Sequence, residues 1–311
     1  MGGSGGCWRN WRPIDIGQRV ENVDRDVETA KFESGVSDLL ANYLKDFNNR
    51  DIETVRERMD KIKELIADDI QDAIEQNFGG SVAKHTYVDG ISDIDALVIL
   101  NGTELVSSPE TAKVAIADIL RKRLSSDCEV RTGQLAVTVT YHDGMEIQLL
   151  PVIKKDDGGL KIQSSRRPDA WSNINPTGFQ QALTKRNQEC NGKLIPTVKL
   201  VKAINGTLPE AKQLSGYHIE SLAIAVFRNY QGSKNTAAMV QEFFKRSPDL
   251  VKQPIRDSTG QSIHVDDYMG VSGSAERQYA SQTLSRIYKR MQNAAASKDL
   301  DGWCDLFEGN E

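Results

Sequence analysis

The chain has 311 residues, 39% of them hydrophobic and 27% charged, which is the composition of a folded globular protein with room for one large domain or two. Its formal net charge is −5 and its pI is near 5.6, which argues against a long nucleic acid as the main partner, because phosphate backbones select basic surfaces. No apolar run reaches the roughly 18 residues of a membrane span, so no membrane association is expected.

In chain order, the opening MGGSGG has the composition of a flexible linker and lacks the charged and apolar regions of a secretory leader. Residues 1–36 mix charges with Trp8, Trp11 and Pro13 and read as an irregular arm. A short helix over 37–47 is expected next, with Leu40, Tyr43, Leu44 and Phe47 on one side. The strongest helical signal covers 51–78. There Val55, Met59, Ile62, Ile66, Ile70 and Ala73 recur every three or four residues as one stripe, and Gly79-Gly80 offers a left-handed stop. This long helix reads as the spine of the molecule.

A polar connector leads from it to the apolar strand Ala96-Leu97-Val98-Ile99-Leu100. Ser108-Pro109-Glu110 then has the order of a helix start: N-cap, proline at the first helical position, acid in the first turn. Two strands, 134–141 and 145–152, flank the turn His142-Asp143-Gly144. Residues 154–167 are polar and read as a loop. From Trp171 the pattern turns helical, over 177–190, 195–204, 217–230, 237–244 and 275–296, and Trp303, Leu306 and Phe307 dock near the end. The architecture is therefore α/β (α+β): a mixed sheet with helices over 37–168, then a helical half over 169–311.

Cys7, Cys128, Cys190 and Cys304 form no C-x-x-C pair, and the four histidines are dispersed. Neither a zinc site nor a disulfide framework is expected, and a cytoplasmic location fits. The chemistry concentrates instead in Gly79-Gly80-Ser81 and Asp93-Ile94-Asp95. Strand side chains alternate, so Asp93 and Asp95 project to one side while Ile94 points away. Two carboxylates at the mouth of a buried strand need a cation between them, and a hard ion such as Mg²⁺ prefers those oxygens and phosphates. The glycines let backbone approach a phosphate closely, and the Ser81 hydroxyl can donate to it.

A two-metal phosphoryl-transfer site needs a third acid from a neighbouring strand, which points to 145–152. Glu146 and Gln148 share one face there, and Met145, Ile147 and Leu149 share the other. Glu146 is the acid this strand offers; the alternative is that it is a solvated strand residue and the site is weakened or dead.

Ser81 precedes Asp93 by twelve residues, and the strand follows the carboxylates directly. That arrangement resembles the nucleotidyltransferase superfamily of DNA polymerase β. In those relatives the third acid stands three residues before the strand's closing proline, where this chain has Gln148, so Glu146 would be a displaced ligand.

The second half narrows the resemblance. Trp171 to Pro176 (WSNINP), Leu194 to Lys202 (LIPTVKLVK) and Leu214 to Glu220 (LSGYHIE) resemble the bacterial second-messenger nucleotidyltransferases of anti-phage (CBASS) operons, relatives of cyclic GMP-AMP synthase and oligoadenylate synthase. The likeness spans about residues 37–308. It implies a polymerase-β-like sheet followed by an oligoadenylate-synthase-like helical half, with the active site between them.

By the same resemblance, Gly80 and Ser81 would hold the donor's terminal phosphates. Asp93, Asp95 and Glu146 would bind two Mg²⁺ ions, for which Mn²⁺ could substitute. Lys202, rather than Lys199 one turn earlier, would contact donor phosphates, and Tyr217 would stack on a base. Relatives often carry a second serine where Gly216 stands. The implied reaction joins ATP, GTP or other triphosphates into a cyclic di- or trinucleotide with release of pyrophosphate, and a downstream effector would respond to that product. Two rivals stay open: a transferase that tails RNA or modifies a protein, and a nucleotide-binding sensor whose catalysis has lapsed.

Overall fold

Among the described residues, two parallel strands at the centre of a seven-stranded mixed sheet organise the first half of the chain. The computed structural model describes residues 16–47, 52–69, 73–78, 94–100, 107–125, 128–133, 135–155, 158–164, 169–256 and 265–309. The elements in order are α1 (Ile16–Phe47), α2 (Ile52–Asp69), β1 (Ala73–Phe78), β2 (Ile94–Leu100), α3 (Pro109–Arg123), β3 (Cys128–Thr132), β4 (Val137–Tyr141), β5 (Glu146–Lys154), β6 (Leu160–Gln163) and β7 (Trp171–Ile174). Then come α4 (Pro176–Glu189), α5 (Leu194–Gly206), α6 (Gly216–Val226), α7 (Thr236–Leu250), α8 (Ala275–Ser297) and α9 (Asp301–Glu308).

The strands lie in the order β1-β2-β5-β4-β3, with β6 beside β5 and β7 beside β6. Among the described strands, only the β2–β5 pair runs parallel. Both strands are covered on both faces, which is why each reads as a nearly continuous apolar run. One face packs on α2 and α3: Val55, Met59, Ile62 and Ile66 meet Ile116 and Leu120 over Ala96, Val98, Val139, Ile147 and Leu149. Burying each large aliphatic side chain there contributes about 1.5–3 kcal/mol. On the opposite face, Leu97, Ile99 and Val152 form a smaller cluster with Leu150, Leu160 and Ile174.

The β4–β5 turn forms as its sequence predicts, with Gly144 at φ +85. Arg58 of α2 grips the turn through both carboxylate oxygens of Asp143, at 3.0 and 2.7 Å, and lies 4.1 Å over the Tyr141 ring. The hydrogen bond from Arg58 holds the Asp143 carboxyl down at about 2. Ser108 caps α3 by accepting from the Thr111 amide, with Pro109 at the first helical position.

Several expectations need correction. Of the stripe read as one helix over 51–78, Ile52–Asp69 is helical, whereas Ala73–Phe78 is the edge strand β1, antiparallel to β2. Pairing along β2 satisfies a full row of backbone groups, and a three- or four-residue spacing in a short segment cannot exclude that outcome. The arm read as irregular over 1–36 is helical from Ile16 onward. Phe32, Val36 and Leu40 of α1 enter the core formed by α4–α9, so α1 packs with the helical half. Residues 1–15 lie outside the described residues. Conversely, Trp171–Ile174, read as the entry to the helical half, is a strand of the sheet, and Leu160–Gln163 in the polar segment is another.

The helical half gathers Leu194, Val198, Leu222, Phe243, Phe244, Leu284 and Met291 around the fully buried Trp303. Phe307 of α9 stacks on Tyr43 of α1 at 4.2 Å, so the end of the described chain closes over α1. No helix among the described residues is long and apolar enough to cross a membrane.

Candidate active site

Two groups of side chains carry the candidate chemistry, one on the sheet and one at the elbow between α5 and α6. Of the residues assigned from sequence, Gly80, Ser81 and Asp93 lie outside the described residues. Asp95 stands on β2 in direct register with Gln148 on β5. Glu146, two residues before Gln148, shares the Gln148 face by strand alternation. On the antiparallel side of β5, Thr140 stands opposite Glu146 and Thr138 opposite Gln148. The other face of the same segment is sealed by fully buried Ile147 and Leu149.

The Thr140 hydroxyl donates to Glu146 Oε1 at 2.9 Å. One strand further out, Arg131 of β3 forms a two-pronged pair with Glu129, at 2.8 and 3.0 Å. Glu129 raises the pKa of that guanidinium, and Glu146 adds a smaller push in the same direction. By backbone register, positions 95, 146 and 148 therefore fall on one face of the central strands. An all-oxygen set suits a hard cation such as Mg²⁺ better than a soft metal. No three His, Cys, Asp or Glu residues group as a metal cage among the described residues.

At the elbow, Lys202 of α5 donates to Glu220 Oε1 of α6 at 2.9 Å, and both side chains are buried. Gly216 backs directly onto this lysine. A Cβ built there would lie 3.3 Å from Lys202 Nζ and 3.4 Å from its Cε, so a serine at this position would have to displace the lysine tip. Lys199 is also buried, one turn earlier on α5. Tyr217 is 36% exposed and rests on Phe179 of α4, with ring centroids 4.5 Å apart. The two rings are tilted by 48° to each other.

A buried network behind the elbow was invisible as a site in the sequence. Ser215 caps α6 by accepting from the His218 amide, and its own amide donates to the Tyr268 hydroxyl at 3.2 Å. The same hydroxyl meets His218 Nδ1 at 2.8 Å. His218 is fully buried, and burial pulls its pKa down to about 4, with Asp266 opposing the shift and Arg277 reinforcing it. Arg277 is itself fully buried. It donates to Asp266 Oδ2 at 2.6 Å and to the carbonyls of Val251, Gln253, Asp266 and Gly270. A sequence signal for it did exist: Arg277 falls in the apolar stripe of α8, three residues before Ala280 and seven before Leu284.

A mixed sheet with a parallel central pair, helices packed on one face and an appended helical half make up a nucleotidyltransferase fold of the polymerase-β-like class. Residues 31–187, about half of the chain, match the model of the Second Messenger Oligonucleotide or Dinucleotide Synthetase domain, and the chain belongs to that family. It is similar over 88% of its length to Bradyrhizobium diazoefficiens CD-NTase CdnG, solved in complex with GTP (14% identity, TM-score 0.69, 95% of that chain). It is also similar to E. coli MS115-1 CdnC in its complex with HORMA-deltaN (16% identity, TM-score 0.65, 88% of this chain and 97% of that one). A third likeness is to Vibrio cholerae DncV cyclic AMP-GMP synthase with nonhydrolyzable GTP (14% identity, TM-score 0.61, 96% and 91%). No curated protein sequence matches the chain.

Proposed function

We propose that this nucleotidyltransferase joins nucleoside triphosphates into a cyclic di- or trinucleotide second messenger, in the cytoplasm, as part of a bacterial anti-phage response. A ribose hydroxyl of one nucleotide attacks the α-phosphorus of another. The new phosphorus–oxygen bond replaces the bond to the β-phosphate, pyrophosphate leaves, and the hydroxyl proton passes to solvent. A further round of the same reaction closes the ring.

The observation that carries this reading is the parallel register of β2 and β5. It sets Asp95 beside Gln148, with Glu146 on the same face. Asp93, Asp95 and Glu146 would hold Mg²⁺, or Mn²⁺ in its place, which supplies charge neutralisation and a lowered pKa for the attacking hydroxyl. Thr140 fixes the Glu146 carboxylate in advance of any ligand. Gly80 and Ser81 would cradle the donor's terminal phosphates. Lys202, which lies against Gly216, would add positive charge to them, and Tyr217 would stack on a base. Phosphoryl transfer asks mainly for positioning and electrostatics, and these groups supply both.

A second reading rests on Gln148, because an amide stands at the register position beside Asp95 where relatives keep an acid. On that reading the protein binds triphosphates without turning them over. Incubation with the four labelled triphosphates and Mg²⁺ or Mn²⁺, followed by product separation, tests both. A cyclic product with matching pyrophosphate release is expected. Tight triphosphate binding with no product under any combination would favour the sensor, and extension of an added RNA would favour a tailing enzyme.

A further inference from the structure

Tyr268 is oriented the opposite way from most tyrosines. A tyrosine at a protein surface usually buries its apolar ring and leaves its hydroxyl in water. Here the hydroxyl is turned inward, bonded to the Ser215 amide at 3.2 Å and to His218 Nδ1 at 2.8 Å. The residue as a whole nevertheless stays 55% exposed, so the ring is what meets solvent. Burial raises the pKa of the phenol, as expected for a hydroxyl enclosed while its ring is not.

The anchoring is rigid. The neighbouring Asp266 is held by Arg277, whose guanidinium also ties down the carbonyls of Val251, Gln253 and Gly270. The His218 ring meets the Tyr268 ring edge-on at 5.8 Å, which fixes its tilt as well. Ser215 and His218, the two residues that hold its hydroxyl, flank Gly216 and Tyr217 in the chain. An apolar aromatic surface is thereby held in water, at a cost in hydrophobic free energy, beside the elbow that carries Tyr217.

We propose that Tyr268 is a second aromatic platform of the nucleotide site, stacking on a nucleobase bound at the elbow that carries Tyr217; this rests on the reading of Tyr217 as a base-contacting residue. Bases stack on an anchored ring with little ordering cost, and every base has a face to offer. The Tyr268 hydroxyl is the anchor, and the ring is the contact.

The test separates the two parts of the side chain. ATP, GTP, CTP and UTP are each titrated calorimetrically into the full chain in Ca²⁺ buffer, for wild type, Tyr268→Phe, Tyr268→Leu and Tyr217→Leu. Tyr268→Leu should weaken the tightest triphosphate by roughly ten- to a hundredfold, the range of one lost base–aromatic stack. Tyr268→Phe keeps the ring and should stay within about threefold of wild type. Equal losses in the Phe and Leu variants would mean that only the hydroxyl matters, and would overturn the proposal. So would an unchanged affinity in Tyr268→Leu. If Tyr217→Leu loses affinity while Tyr268→Leu does not, the Tyr217 reading stands and this one falls. If wild type binds no triphosphate, or if Tyr217→Leu binds as wild type does, the underlying reading falls first and the proposal with it.

Discussion

Acidification should loosen this fold through one histidine. His218 is fully buried, with Nδ1 at 2.8 Å from the Tyr268 hydroxyl and Nε2 at 3.7 Å from the Asp266 carboxylate. That carboxylate is already committed to the buried Arg277 at 2.6 Å. Burial is the main reason the imidazole takes a proton only near pH 4, against an ordinary 6.5, and Arg277 adds to the effect while Asp266 opposes it. The folded pKa lies below the unfolded one, so between these values the unfolded chain binds more protons. Stability is complete above about pH 6.5 and falls as pH drops toward about 4, by about 3 kcal/mol in all. Urea unfolding of wild type and His218→Gln, in steps from about pH 7.5 down to about 4.5, reads this directly. The wild type should lose about 2–3 kcal/mol more than the variant over that range. Parallel pH curves for the two proteins would refute the reasoning, because the imidazole would then be gaining its proton as easily folded as unfolded.

Three further outcomes follow from the two candidate groups. Replacing Asp93 and Asp95 together by Asn should abolish pyrophosphate release and leave the circular dichroism melt intact, since it removes like charges that repel without a cation. Glu146→Gln should lower turnover about a hundredfold or more with triphosphate binding retained, while Gln148→Ala is much milder; an inactive wild type rescued by Gln148→Asp would instead establish the sensor. Glu220→Ala removes the carboxylate that pairs with the buried ammonium of Lys202 and should cost about 3 kcal/mol in urea unfolding, whereas Glu220→Gln, which keeps an acceptor, should cost less.

The sequence by itself determined the features written in local chemistry. The Ser108-Pro109 helix start, the Asp143-Gly144 turn and the helices from Pro176 onward are legible because caps, turn residues and apolar spacing act over a few neighbouring residues. The family likeness was legible for a related reason, because its motifs are short and keep their order. Tertiary structure alone decided that Ala73–Phe78 pairs with β2 as a strand, since the apolar spacing allowed a helix and only the waiting strand edge favoured the other outcome. It alone sent α1 to the helical half, because Phe32, Val36 and Leu40 needed a surface that is made more than a hundred residues later in the chain. It also assembled Ser215, His218, Asp266, Tyr268 and Arg277 into one network. None of these residues announces the others, because a buried polar group needs a partner in space and the fold is free to draw that partner from any part of the chain.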